Sequence, residues 1–175
     1  MFAATPQRQR QRYPVSLVFT TGADPFQFFI KVGTRSPATH AAIGVGDKLL
    51  HAYEDGVKLD PRSAWFGDDR QALIAEFMIV PDVSQGVQLA AQHIGRPYDV
   101  VGIVKAALLR GLAFCASPVQ SFGPATDNAH VCASFAMLLD PYGIQIPEWR
   151  AIDRANVSPA DLLAAARGPS FRRVA

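Results

Sequence analysis

His40-Ala41-Ala42-Ile43-Gly44-Val45-Gly46-Asp47-Lys48-Leu49-Leu50-His51-Ala52 is an apolar stretch broken once, at Gly46-Asp47, with a histidine near each end. A Gly-Asp pair between two apolar runs is a hairpin signal, so the segment reads as strand, turn, strand. With a two-residue loop at Gly46-Asp47, His51 lies opposite Ala42; with the loop at Asp47-Lys48 it lies opposite Gly44. Either register puts His51 on the face of His40, because strand side chains alternate with period two, whereas a three-residue loop would separate them. In the shorter register the two are diagonal neighbours, about 7–8 Å apart between backbones, within reach of two imidazoles.

Half a chain later, Asn128-Ala129-His130-Val131-Cys132-Ala133-Ser134-Phe135-Ala136-Met137 reads as the start of a helix over residues 131–139. If Asp127 or Asn128 caps it, Cys132 falls in the first turn. There the exposed N–H groups favour an anion, and together with a nearby imidazolium they would lower the thiol pKa. The same N–H groups could hold an oxyanion. The alternative is that Cys132, beside Val131, Ala133 and Phe135, is a small core residue. Cys115, between Phe114 and Ala116, has no such advantage and is assigned to packing. Both cysteines are expected as free thiols, since a chain with 49% apolar residues does not need a bridge for its core.

Outward from the hairpin, strand patterns cover residues 13–20, 56–59 and 72–80, giving an antiparallel sheet of about five strands. Helical spacing covers 25–32, with Asp24 as cap and Pro25 in the first turn, and 84–94, with Gly95 as stop. Residues 100–114 form an apolar helix interrupted by Lys105 and Arg110, shorter than the ~20 residues that span a bilayer. Residues 117–128 read as a loop, and Ser158-Pro159-Ala160-Asp161 opens a last helix. The fold class is α+β, with one domain over 13–165, an extended or disordered arm over 1–12 and a solvated C-terminal tail over 166–175.

A formal charge of +2, from 17 Lys/Arg against 15 Asp/Glu, gives no basic stripe for nucleic acid. The N-terminus has no signal-peptide pattern, so a cytoplasmic, phage-borne or specially secreted protein is expected, without a membrane span. No cofactor is expected. His40, His51 and Cys132 could make a three-ligand zinc set by type alone, but their spacing does not support one.

Residues 40–52 resemble the strand pair of NlpC-type papain-like cell-wall peptidases, whose pattern is close to His-Val-Gly-Ile, a Gly-containing turn, then Ile-His-Ala. Gly95-Arg96-Pro97-Tyr98 resembles that family's Gly-x-Pro-Tyr segment, Cys132 its helix-start nucleophile, and Ser158-Pro159-Ala160-Asp161-Leu162 its Thr/Ser-Pro-x-Asp-Leu segment. The order here is histidine before cysteine, which resembles the circularly permuted branch of YiiX-like amidases and the lecithin retinol acyltransferase group. Together these matches span most of residues 13–165.

The resemblance implies a permuted papain-like fold and a thiol hydrolase or transferase. Cys132 would be the nucleophile, His40 the base and His51 the orienting residue, with Tyr98 and His130 near the oxyanion or substrate. Tyr98 has packing as its alternative, His130 a surface position, and Glu54 or Asp55 could replace His51 as the third polar group. Val131-Cys132-Ala133 departs from the family's Asp-Cys-Ser, and the histidine spacing is one residue shorter than the commonest. The implied substrate is a peptidoglycan-type peptide or γ-glutamyl amide. A lipid amide or ester, and a non-catalytic virion module keeping the fold, are the alternatives.

Overall fold

The computed structural model of the chain describes residues 14–67, 71–97, 132–154 and 157–175. The expected arm over 1–12, the apolar helix over 100–114, the loop over 117–128, and Tyr98, Cys115 and His130 lie outside the described residues.

The elements in order are β1 (Val15–Gly22), α1 (Pro25–Thr34), β2 (His40–Val45), β3 (Lys48–Tyr53), β4 (Gly56–Pro61), α2 (Arg62–Phe66) and β5 (Gln71–Ile79). They are followed by α3 (Ser84–Ala91), α4 (Cys132–Ala136), single 3-10 turns at Met137–Leu139 and Pro147–Trp149, α5 (Pro159–Ala165) and β6 (Phe171–Arg173). The architecture is α+β. Six strands pair antiparallel in the order β4-β3-β2-β1-β5-β6.

The sixth strand corrects the expectation of about five strands and of a solvated tail over 166–175. Phe171 is buried, and Ile79 pairs with it while Phe77 pairs with Arg173. The Val174 N–H donates to the Glu76 carbonyl at 2.9 Å, and the Glu76 N–H to the Ala175 carbonyl at 2.9 Å. A three-residue strand carries too little alternation to be read from sequence, and it exists because β5 offers an unpaired edge.

Local chemistry explains the helix ends. Asp24 accepts from the Gln27 N–H at 2.8 Å with Pro25 in the first turn, and Ser158 and Asp161 form a reciprocal capping box that starts α5. The helix expected over 84–94 ends at Ala91. Residues 92–95 turn instead, and the Gly95 N–H donates to Val57 while the Val57 N–H donates to Arg96, tying this turn to β4. The helix expected over 131–139 is likewise α4 followed by a 3-10 turn. Asp140 closes it, its carboxylate accepting from the N–H groups of Ile144, Gln145 and Ile146 at 3.0, 2.7 and 2.6 Å.

Alternation along the strands builds two unlike faces. Leu17, Phe19, Ala41, Ile43, Leu50, Ala52 and Phe77 join Phe135, Met137, Trp149 and Leu162 in the main core. Burying each large side chain there contributes roughly 1.5–3 kcal/mol. The other face carries a small cluster, Val18, Ala42 and Leu49, with Trp65 and Phe66 of α2 packed on it.

A polar clamp holds α2 on that second face. Arg62 donates to both carboxylate oxygens of Glu76, at 2.9 and 2.6 Å, to Ser16 Oγ at 3.2 Å, and through Nε to the Gly46 carbonyl at 3.1 Å. The Arg62 guanidinium holds the Glu76 carboxyl below its usual pKa. Gly44 lies directly beneath, and a Cβ there would run into Ser16 Oγ and Arg62 Nη2. Gly44→Ala is therefore expected to lower the urea midpoint by the equivalent of about 1–3 kcal/mol. An unchanged midpoint would show that the clamp yields without cost.

Candidate active site

The β2–β3 turn is the Gly46-Asp47 loop: Val45 pairs with Lys48, Gly44 with Leu49 and Ile43 with Leu50. Gly46 has φ of 60° while Asp47 stays out of the positive region, the arrangement of a II′ turn with glycine first. Continuing this register puts His51 across from Ala42 and His40 across from Tyr53. The shorter of the two registers is thus the one formed, and both imidazoles project to the face of Ala42 and Leu49.

There they meet. The His40 and His51 rings lie edge to face with centroids 5.3 Å apart, and Tyr53 stands edge to face against His40 at 5.4 Å. Trp65 of α2 covers the group, 5.2 Å from His40, 4.3 Å from His51 and 5.0 Å from Tyr53. Both histidines are buried, at 1% and 0% exposure.

Polar contacts come from the sheet edge and from α1. His51 Nε2 lies 3.1 Å from Asp60 Oδ2 of β4. Asp60 shares the face of His51 because it sits two residues beyond Lys58, the cross-strand partner of His51. The Tyr53 hydroxyl accepts from Gln27 Nε2 at 3.0 Å and Gln71 Nε2 at 3.4 Å, and donates to Asp24 Oδ2 at 3.3 Å. The Thr39 hydroxyl donates to Gln27 Oε1, and the Thr20 hydroxyl to Gln71 Oε1 at 3.2 Å. Burial and the neighbouring Asp24 carboxylate push the Tyr53 phenol up to about 12, so it stays protonated.

Burial, reinforced by the neighbouring His51, holds His40 well below its ordinary pKa; burial also lowers His51, opposed by the Asp60 carboxylate. Both rings are therefore neutral near pH 7, the form that accepts a proton. A thiol beside them would not find the imidazolium that the sequence suggested. His40 Nε2 and His51 Nδ1 are buried without hydrogen-bond partners, as is Trp65 Nε1.

Cys132 does not join this group. It is in no disulfide, is 3% exposed, lies in α4, and packs in the main core among the residues that alternate to the opposite face of β2 and β3. The structure thus brings His40 to His51 and leaves Cys132 across the sheet. Glu54 and Asp55 make no hydrogen bond to His51 among the described contacts. Both are exposed, and Asp55 pairs with Lys58. The carboxylate that contacts His51 is Asp60, and it was legible only through the β3–β4 register. Tyr53, Trp65 and Gln27 carried no sequence motif, and Asp24 was legible only as a helix cap. Among the described residues no group of three His, Cys, Asp or Glu side chains is placed to hold a metal ion, and no helix is long and apolar enough to cross a membrane.

The depressed histidine pKa values link stability to pH. Below about 6.5 the unfolded chain takes up protons that the folded chain refuses. Stability is therefore full above that pH and declines as pH falls toward the depressed folded values, by at most about 1.4 kcal/mol per pH unit for each histidine. Urea unfolding at pH 7.5 and pH 5.5 checks this: the difference shrinks in His40→Gln, and equal pH dependence in the two proteins would contradict it.

Neither a protein-family model nor a curated protein sequence matches the chain.

Proposed function

We propose that this chain is a cysteine-dependent hydrolase of amide bonds with a permuted papain-like fold of the NlpC type. The observation that supports this reading is the buried His40–His51 pair backed by Asp60, formed by a hairpin whose sequence resembles the catalytic strand pair of that family. A neutral imidazole packed against a second ring that is itself anchored to a carboxylate suits a general base.

The chemistry follows from the atoms. With Nε2–H of His51 donated to Asp60, its Nδ1 is a lone pair; the complementary tautomer of His40 carries its proton at Nε2, and in the proposed mechanism His40 Nδ1 is the base. That nitrogen takes the Cys132 proton, and the thiolate attacks the carbonyl carbon. The C–N bond breaks as His40 returns the proton to the leaving amine, and water then hydrolyses the thioester with His40 again as base. The Cys132 N–H and Tyr98 are the proposed oxyanion donors, His130 a substrate contact, and the substrate is a peptidoglycan-type peptide or γ-glutamyl amide. The reading requires Cys132 Sγ to come within hydrogen-bond reach of His40, and in the described geometry the two are on opposite faces of the sheet.

That placement favours a second reading, a non-catalytic module that keeps the fold, in which Cys132 is a core residue and the histidine cluster is structural. Alkylation of Cys132 by iodoacetamide across pH separates the two. A hydrolase is expected to react in the folded state with a midpoint below about 8.5, and His40→Gln is expected to abolish that shift. Protection of Cys132 until the chain unfolds would overturn the proposal in favour of the module.

A further inference from the structure

We infer that Asp60 is a positioning residue that sets which nitrogen of His51 carries the proton. This rests on the hydrolase reading for its effect on turnover, but not for its effect on the ring. The Asp60 carboxylate accepts at His51 Nε2, 3.1 Å away, and a carboxylate oxygen has no proton to give back to a neutral ring. The proton of neutral His51 is therefore held at Nε2. Its Nδ1 is then a lone pair, buried and without a partner.

The complementary group is next to it. His40 Nε2 is also buried and unpartnered, on a ring that meets His51 edge to face at 5.3 Å. Two orphaned ring nitrogens in one buried cluster are costly unless one presents a proton toward the other through a bridging water. Asp60 decides the direction. With Nδ1 of His51 fixed as an acceptor, the complementary tautomer of His40 carries its proton at Nε2 and leaves Nδ1 as its basic nitrogen. Were the His51 proton at Nδ1, the complementary tautomer of His40 would be Nδ1–H, and its basic nitrogen would be Nε2 instead.

Other charges around His51 do not serve this role. Asp55 and Lys58 act on it only through space and pair with each other, while the remaining ring neighbours, Tyr53, Trp65 and His40, are neutral. Asp60 sits on the edge strand β4 and is partly exposed, so its substitution leaves the apolar packing of the cluster in place.

The test is nitrogen NMR of the histidine rings in the wild type, Asp60→Asn and Asp60→Glu at pH 7.5, together with kcat and KM on a γ-glutamyl anilide. The wild type is expected to show His51 with its proton at Nε2. Asp60→Asn, whose amide can donate to Nε2, is expected to populate the Nδ1–H form, and Asp60→Glu to restore the wild-type pattern. Turnover should fall roughly 10²- to 10⁴-fold in Asp60→Asn with little change in KM. A His51 proton at Nδ1 in the wild type, or an Asp60→Asn spectrum with the Nε2–H form intact, overturns the inference whatever the activity. A wild type that shows the Nε2–H form but no turnover upholds the assignment of the ring and counts against the hydrolase reading instead.

Discussion

A loop of two residues, Gly46-Asp47, fixes the register of β2 against β3, and the histidine face of this molecule depends on that number. One more residue in the loop would send His51 to the main core and leave His40 alone. Gly46 in the left-handed region makes the short loop feasible, and Arg62 ties the Gly46 carbonyl to the clamp on Glu76 and Ser16. The same clamp seats α2, so Trp65 is delivered over the imidazoles by the interaction that locks the turn beneath them.

The two sides of the sheet have divided their work. One side is a conventional apolar core, with α3, α4 and α5 contributing to it. The other holds few aliphatic side chains and many buried polar groups: His40, His51, Thr20 and Gln27, with Tyr53 and Gln71 at its margin. Buried polar groups in such number persist when their partners are supplied, and here nearly all are, through Asp24, Asp60 and the paired glutamines. The exceptions are one ring nitrogen of each histidine and the Trp65 indole. A surface of this kind contributes less to stability than an apolar one would, which is what functional sites tend to show.

Much of this was legible in the sequence, for identifiable reasons. Alternation and the Gly-Asp turn located β2 and β3 and set His40 and His51 on one face. Asp24-Pro25 and Ser158-Pro159 announced two helix starts because caps act locally. What escaped depended on pairing between distant segments. Phe171-Arg172-Arg173 becomes a strand only because β5 has a free edge, and Asp60 reaches His51 only because β4 folds back through a tight turn. Trp65 and Gln27 reach the cluster through the packing of helices whose own sequences show no trace of it. The side of the sheet on which Cys132 packs belongs to the same class. That Cys132 is helical could be read, but not the face on which that helix would dock.

The hydrolase reading stands or falls on whether Cys132 carries an acyl group during reaction. Acid quenching of the protein with an activated acyl ester, followed by peptide mass spectrometry, measures this directly. The predicted result is a thioester on Cys132 that is absent from His40→Gln; an adduct confined to Cys115, or none on either cysteine, would contradict it.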